Sequence, residues 1–325
     1  MNVMLMIIRC AAVAFALSFT AAGAHAQQKY PTKPIRMLTP FAAGGGSDIL
    51  ARLIGPQVSE VFGQQIVVDN RPGGAGTVGA TLAVRAAPDG YTLILVSGSF
   101  GVSSVLHKVS FDPVTDITPI ILIGTTGLLV SVHPSVPIKS TNDFIAYARA
   151  NPGKLNLGTA GLGDLGQLAG ELFKLETKTQ FTHVPYKGAG PLMIGIVGGE
   201  VQASISSAVP AIPHVKAGRL RAIAVTTPKR SRALPDVPTI ADTVPGYDVT
   251  HWYAIWGPKG LPKDVVTRWN QEVAKIIRTD AMQKWLEREG LEAAGGPPEE
   301  FLNRVKSDVE KWKNVVKQAK IVIAQ

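Results

Sequence analysis

The stretch IRMLTPFAAGGGSDILARLIGPQVSEVF, residues 35–62, decides the fold class. It begins with an apolar run typical of a buried strand, continues through the small residues AAGGGSD, and ends in a segment with helical periodicity. Pro56 lies inside that predicted helix (48–62) and is expected to kink it. A strand, a small-residue loop and a helix form the repeating unit of an α/β fold. The apolar residues at helical spacing are Leu50, Ile54, Val58 and Val61.

The same unit recurs along the chain, which predicts an α/β fold with mostly parallel sheets flanked by helices. Further strands are predicted at QIVVDN, YTLILVS, LLVSVHP, KLNLGTAG, THVPYKG, VQASISSAVP and RLRAIAVTT. An aromatic-rich extended stretch, YDVTHWYAIWGP, follows at residues 247–258. Two helices are predicted after it, one that ends at Gly290 and one over residues 298–320.

The N-terminus has the features of a secretory signal peptide. Arg9 precedes an uncharged, alanine-rich run, and Ala24-His25-Ala26 is an A-x-A cleavage signature. We therefore predict cleavage after residue 26 and a periplasmic mature protein. The apolar run is too short for a membrane span, and the single cysteine, Cys10, lies in the segment to be removed.

The formal net charge of +9 suits anionic partners but does not require them. Basic residues are scattered apart from KRSR at 229–232, and no aromatic-interleaved basic patch accompanies them. Nucleic acid is therefore not expected as a partner.

Several catalytic and cofactor motifs are incomplete. Gly161, Gly163 and Gly166 have the G-x-G-x-x-G spacing, but the next strand ends in His183-Val184-Pro185 where a dinucleotide site needs an acidic residue. No Gly-Lys-Ser/Thr follows GGGSD, and Ser97 stands where a nucleophile elbow needs glycine. The histidines after residue 26 show no metal-ligand spacing. We predict no catalytic residue, metal ion or cofactor, although a triad of distant residues stays open.

Five loops share one composition: PFAAGGGSD, NRPGGAGTVG, VSGSFG, GTAGLGD and SISSAVP. Each follows a predicted strand, and most lead into a helix. Small residues allow backbone N–H groups to approach a ligand, and a helix N-terminus adds about half a positive charge. Any one such loop could be an ordinary turn, but five in both halves favour a carboxylate site between two domains.

Long segments of the chain resemble the Bug family, the periplasmic substrate-binding receptors of tripartite tricarboxylate transporters. The resemblance covers residues 29–320 and rests on YPTKPIRMLTPFAAGGGSDILAR, VVDNRPGGAGTVG, PDGYTL, FDPVTDITPI, GELFK, HVPYKGAGP, IPHVKAGRLRAIAV and LPDVPTI, in this order. It implies a two-lobed, type II periplasmic-binding-protein fold, with residues 27–127 and 249–325 in lobe 1 and residues 128–248 in lobe 2. A monomer is the family expectation.

The resemblance also implies ligand contacts in loops of both lobes, mostly through backbone N–H groups. Asp48 matches the pattern too, but we interpret it as a helix N-cap rather than a direct contact. Trp252 matches an aromatic position, where packing is its expected role. The other implied contacts are Phe41, Ala43, Gly44, Gly45, Ser47, Ser97, Ser99, Thr159, Gly161 and Gly163.

The sequence departs from the family pattern at Ala43, Asp164, Gln167 and Ser206. The family usually has proline, serine or threonine, histidine, and often aspartate at these positions. A carboxylate at Asp164 would repel a second carboxylate of the ligand. We therefore expect a ligand with one carboxylate and a neutral or amine-bearing far end, in preference to citrate. Asp164 and Ser206 are assigned to the ligand site, while a role for Asp164 as N-cap alone stays open.

The sequence thus predicts a solute receptor without enzymatic activity. It would capture a small organic acid by lobe closure and deliver it to the membrane permease subunits of a tripartite transporter. Two alternatives stay open: a periplasmic enzyme that uses the same cleft, and a binding protein that reports to a sensor.

Overall fold

The computed structural model describes residues 30–318 and residue 321 of the 325-residue chain. The predicted signal peptide lies outside the described residues. The chain divides into a short N-terminal unit that ends at Thr32, and a main unit that begins at Lys33. Every helix and strand named below belongs to the main unit. No described helix is long and apolar enough to cross a membrane.

The main unit alternates strands and helices, as predicted. The strands are β1 (Ile35–Thr39), β2 (Ile66–Asn70), β3 (Thr92–Ser97), β4 (Ile117–Val132), β5 (Asn156–Thr159), β6 (Thr182–Pro185), β7 (Ala203–Ser207), β8 (Arg221–Val225), β9 (Thr250–Pro258) and β10 (Glu292–Ala293). The α-helices are α1 (Gly46–Phe62), α2 (Thr77–Val84), α3 (Ser99–Leu106), α4 (Thr141–Ala150), α5 (Leu165–Thr177), α6 (Ala189–Val197), α7 (Ala208–Lys216), α8 (Lys263–Ile277), α9 (Asp280–Arg288) and α10 (Pro298–Gln318). Short 3₁₀ turns occur at Gly74–Gly76 and Ile240–Asp242.

The strands form a mixed sheet in the order β2-β1-β3-β9-β4-β7-β5-β6, and β8 and β10 also pair with β4. The outer strands are parallel, β2-β1-β3 at one end and β6-β5-β7 at the other. Between them, β9 and β4 run antiparallel to their neighbours. The parallel character predicted from the sequence therefore holds at both ends of the sheet, which are joined by two antiparallel strands.

Strand β4 changes partners along its length. Ile117–Gly127 pairs with β9, whereas Leu128–Val132 pairs with β7 and β8. This change coincides with the predicted boundary between lobe 1 and lobe 2, although the lobe division itself stays a prediction. The sequence predicted a strand only from residue 128. Most of β4 is buried, so its residues lack the polar alternation that would have marked the earlier part.

Two helix predictions were wrong in detail. Helix α1 begins at Gly46, two residues earlier than predicted, and Gly45 is its N-cap. Asp48 is therefore not the N-cap. The single helix predicted to end at Gly290 is two helices, α8 and α9, because the Thr279 hydroxyl accepts a hydrogen bond from the Met282 N–H and starts a new helix.

The C-terminal helix α10 packs against two hydrophobic cores, one on each side of the point where β4 changes partners. Phe301 and Val305 lie in a cluster with Ile94, Trp252 and Trp256. Trp312 and Val315 lie in a second cluster with Leu128, Phe144 and Phe173. A third cluster lies around α6 and α7. The apolar stripe of α10 therefore buries itself against both halves of the main unit.

Candidate functional site

A small cavity of about 30 Å³ lies at the carboxyl ends of β1, β3, β5 and β7. This is where α/β folds commonly place ligands. The cavity is lined by seven of the residues assigned from the sequence: Phe41, Gly45, Ser47, Ser97, Ser99, Asp164 and Ser206. It also has residues that the sequence reasoning missed: Gly46, Leu128, Ala160, Leu165, Gly166, Ala189, Ser207, His251 and Tyr253.

Five helices begin at this cavity. Lining residues stand at the N-termini of α1, α3, α5, α6 and α7. Side chains cap only α5; the N-cap residues of the other four, Gly45, Gly98, Gly188 and Ser207, make no side-chain cap bond. The first N–H groups of a helix have no intrahelical partner, and the helix dipole makes them attractive to an anion. No lysine or arginine is among the described lining residues, so the groups of the wall itself that favour an anion are the helix N-termini.

Three polar side-chain atoms of the wall have no hydrogen-bond partner in the described part of the chain. They are Ser47 Oγ, Ser206 Oγ and His251 Nδ1. Their residues are 3%, 1% and 4% exposed, so bulk solvent has little access to them. Buried polar groups are almost always paired in proteins. Three unpaired groups around one cavity therefore make this wall a candidate site for a polar ligand.

Asp164 caps α5, as one of the two interpretations of the sequence predicted. Its carboxylate accepts hydrogen bonds from the backbone N–H groups of Gln167 (2.8 Å) and Ala160 (3.1 Å). Burial raises the pKa of Asp164 to about 7, although these backbone hydrogen bonds act in the opposite direction. Asp164 thus places a carboxyl group in the cavity wall that is easily protonated.

His251 and Tyr253 lie on the wall side of β9, whereas Trp252 between them points to the other face. Their rings meet edge to face, with centroids 5.0 Å apart. Burial lowers the pKa of His251 to about 3, with a further contribution from the positive charge of Arg304, so the imidazole is neutral. The Tyr253 hydroxyl lies 2.5 Å from Ser207 Oγ and ties β9 to the end of β7.

The glycines at the cavity are required by close packing. A Cβ atom at Gly46 would overlap the Tyr253 hydroxyl, and one at Gly166 would overlap the backbone carbonyl of Ile205. A Cβ atom at Gly98 would lie 3.0 Å from His251 Nδ1. The glycine spacing that resembles a dinucleotide motif is thus explained in part by packing against β7.

The remaining residues assigned from the sequence do not line the cavity. Ala43 and Gly44 line a separate apolar groove of about 540 Å³ between the start of α1, helices α6 and α7, and α9. The Asp48 carboxylate accepts hydrogen bonds from the Gly44 N–H (3.0 Å), Asn70 Nδ2 (3.0 Å) and Arg52 Nε (2.9 Å). These bonds hold the α1 loop (residues 40–45) in place.

The other assigned residues in or next to the α5 loop (residues 160–164) are Thr159, Gly161 and Gly163. Each contacts other residues of the protein. The Gly163 N–H donates to Gln167 Oε1 at 2.6 Å, and Thr159 Oγ1 donates to the Gly161 carbonyl at 3.5 Å. Gly161 packs against Ala75. These three residues shape the α5 loop, and none of them is a lining residue.

Trp252 is fully buried, and its packing role is confirmed. Its indole Nε1–H donates to Asp308 Oδ2 at 2.6 Å, and its ring packs against Phe301. The two-residue period of a strand could have identified the correct face, because His251 and Tyr253 share one side and Trp252 takes the other.

Hydrogen bonds close the cavity across the predicted lobe boundary. Ser99 Oγ accepts from the Leu165 N–H at 3.3 Å, and His107 Nε2–H donates to the Leu162 carbonyl at 2.8 Å. The Ala42 N–H donates to the Lys187 carbonyl at 3.4 Å. Among the described residues, no group of three or more histidine, cysteine, aspartate or glutamate side chains could hold a metal ion.

Known proteins resemble this chain over most of its length. Residues 50–321 match the family described as Tripartite tricarboxylate transporter family receptor. The protein BugT of Bordetella pertussis is 30% identical over 293 residues, which are 89% of this chain and 90% of BugT.

Solved structures show the same fold. The R. palustris protein Rpa4515, solved with adipate, is 38% identical, with a TM-score of 0.87 over 90% of this chain and 99% of that one. The periplasmic binding protein BugD is 30% identical, with a TM-score of 0.86 over the same shares.

Proposed function

The chain belongs to the Bug family of tripartite tricarboxylate transporter receptors, and on that premise we propose that it captures a small carboxylate-bearing solute in the periplasm between two lobes. The observation that carries this proposal is the cavity where five helix N-termini meet three unpaired polar side chains. Such a site holds an anion without a cationic side chain. The adipate-bound relative supports a carboxylate as the anion.

Binding requires the lobes to separate and close. A cavity of about 30 Å³ has room for about two water molecules, so we expect its walls to stand further apart when an organic acid lies between them. The ligand therefore enters when the contacts of Ser99 and His107 across the boundary are open, and favours closure by contacting both sides. In this proposal residues 27–127 and 249–325 form lobe 1, and residues 128–248 form lobe 2.

The ligand that we propose has one carboxylate and a neutral or amine-bearing far end. The α1 loop and Ser47 would receive the carboxylate, as would Ser97 and Ser99 beside it. Asp164 faces the same cavity with no cation among its hydrogen-bonding partners, so a second carboxylate would be repelled there whenever Asp164 is ionised. Citrate binding that is tighter than that of any monocarboxylate, and unaffected by Asp164→Asn, would contradict this ligand class.

After capture, the closed protein would deliver its ligand to the permease subunits of a tripartite transporter, acting as a monomer and without chemical conversion. A receptor returns its ligand unchanged, so prolonged incubation followed by mass analysis of the solute separates it from an enzyme. Deletion of the membrane components separates transport from signalling, since only a transport role makes growth on the ligand depend on them.

The first experiment is native mass spectrometry of the protein purified after export, followed by melting curves with mono-, di- and tricarboxylates, amino acids and aromatic acids. A ligand present at 100 times its Kd stabilises the folded state by about 2.7 kcal/mol, which is readily detected. We expect one or more acids to raise the Tm. A panel without any such acid would contradict the proposed carboxylate receptor.

A further inference from the structure

His251 is fixed in the cavity wall without using its Nδ1 atom. Its ring rests edge to face on Tyr253 at an interplanar angle of 81°, and the residue is 4% exposed. Gly98 lies close to Nδ1, since a Cβ atom there would be only 3.0 Å away, and its lack of a side chain leaves room for the ring. The imidazole is therefore held in one place, buried, and unpaired on the side of Nδ1.

The cavity has two distinguishable ends along β9. Tyr253 stands against Gly46, at the N-terminus of α1. Two residues earlier, His251 stands beside Gly98 and Leu165, at the N-terminus of α5 that Asp164 caps. Two residues of a strand span about 7 Å, which is close to the length of an extended four-carbon acid. A ligand whose carboxylate occupies the α1 end therefore brings its far end to His251.

The groups at the α5 end suit a hydrogen-bonding group that is not a second carboxylate. The imidazole of His251 is neutral, so it offers a hydrogen bond without a compensating positive charge. Ser206 Oγ can donate or accept, and the Asp164 carboxylate accepts when ionised. A hydroxyl or an ammonium group can pair with all three side chains, whereas a carboxylate would meet the ionised form of Asp164 with like charge.

We propose that His251 is a specificity-determining residue that, together with Ser206, binds a hydroxyl or amino group at the end of the ligand away from its carboxylate. This inference rests on the proposed function and narrows its ligand class to hydroxy and amino monocarboxylates. The sequence reasoning did not assign His251 to the site.

The test compares butyrate with three acids that carry a substituent on its carbon 4: 4-hydroxybutyrate, 4-aminobutyrate and glutarate, in which the substituent is a second carboxylate. Calorimetric titration of the purified protein gives a Kd for each acid. The wild type should bind 4-hydroxybutyrate or 4-aminobutyrate about 10-fold more tightly than butyrate, and glutarate no more tightly than butyrate. The same binding ratios are then measured for His251→Leu and His251→Asn.

His251→Leu should bring the preferred acid to within about 3-fold of butyrate while the butyrate Kd changes little. His251→Asn should restore part of the preference, because its amide puts a polar atom near the position of Nδ1. His214→Leu is the matched control, since its Nδ1 is also buried and unpaired but lines the separate groove. It should keep the wild-type ratios.

The outcomes separate this inference from the proposed function. If acids bind but His251→Leu keeps the wild-type ratios, the role of His251 is overturned and the receptor stands. If other acids of the wider panel bind while none of these four does, or if glutarate binds most tightly, the ligand class is overturned. The wild-type ratios alone decide the ligand class if His251→Leu does not fold. If no acid binds at all, the proposed function itself fails.

Discussion

The α1 loop and the α5 loop have similar compositions, but the polar groups at the start of the helix that follows each loop are paired differently. The α1 loop leads into a helix that no side chain caps, and Ser47 at its start leaves a hydroxyl unpaired. In the α5 loop, the Asp164 carboxylate accepts hydrogen bonds from the N–H groups of Ala160 and Gln167, and the Gln167 side chain accepts one from the Gly163 N–H. Both loops use some backbone donors internally, since the Gly44 N–H of the α1 loop donates to Asp48. The contrast lies at the helix starts: the uncapped start of α1 has donors to offer a ligand, while Asp164 occupies a donor at the start of α5.

A glycine-rich composition therefore predicts that a ligand can approach the backbone closely, but it does not predict that the backbone N–H donors are unpaired. Both loops were assigned to the ligand from composition and resemblance. The polar side chains near each loop decide the outcome, and their hydrogen bonds depend on tertiary distances. Four changes test this contrast.

The largest effect should come from the carboxyl group that closes the α5 loop. The pKa of Asp164 is raised to about 7 in the folded state from an ordinary value of 3.8, because the carboxylate is desolvated. The stability it contributes is therefore present below about pH 4 and is lost as the pH rises through 7. Three pKa units correspond to about 4 kcal/mol.

The measurement is the free energy of unfolding of the wild type and of Asp164→Asn by urea denaturation at several pH values from about 3.5 to 8. Any pH-independent cost of the amide gives a constant offset. The variant should gain stability relative to the wild type as the pH rises, by an amount of this order over the full titration. A difference that stays flat across the range would show that the carboxylate is ionised at all these values and well solvated.

The next effect tests why the α5 loop needs Gly166. A methyl group there would overlap the Ile205 carbonyl, which belongs to the backbone of β7 and cannot rotate away. We expect Gly166→Ala to destabilise the fold by about 3 kcal/mol. Gly55→Ala is the control, because Gly55 lies within α1 and its added methyl group would make ordinary contacts 3.6 Å from Ile66. Urea unfolding should show little loss, or a gain, for the control. Equal losses in both variants would remove the packing explanation.

A smaller effect should distinguish Ser47 of helix α1, whose hydroxyl is unpaired, from Ser99, whose hydroxyl is hydrogen-bonded to the start of α5. Ser47 Oγ is unpaired, whereas Ser99 Oγ accepts the Leu165 N–H. Ser47→Ala should weaken binding of the best carboxylate about 10-fold, near 1.4 kcal/mol, while the Tm of the protein without ligand stays the same or rises. Ser99→Ala should lower that Tm, because it leaves a buried N–H unpaired. Calorimetric titration and melting curves of both variants provide the comparison, and a reversed pattern would contradict it.

Much of the architecture was predictable from local sequence, and so was part of the site. The small-residue loops at Phe41–Ser47 and Ser97–Ser99 were found because backbone approach to a ligand demands small residues there. His251 and Tyr253 were not predicted because the family resemblance points to Trp252, although alternation along β9 puts its two neighbours on the cavity side. The pairing of Tyr253 with Ser207 joins residues 46 positions apart, which no local pattern encodes.

The smallest expected effect concerns Gln167, whose Oε1 accepts the Gly163 N–H at 2.6 Å. Gln167 is 8% exposed, so water replaces this bond poorly when the acceptor is removed. Gln167→Leu should cost about 1 kcal/mol of folding free energy, measured by urea unfolding. Gln167→Glu, compared at about pH 5 where a buried carboxyl group stays protonated, keeps an acceptor oxygen and is the matched control for stability at this position. Because this bond holds the α5 loop and does not face the ligand, the leucine variant should keep the relative affinities for carboxylates with different far ends. A changed order of affinities would mean that the α5 loop, like the α1 loop, presents its backbone to the ligand.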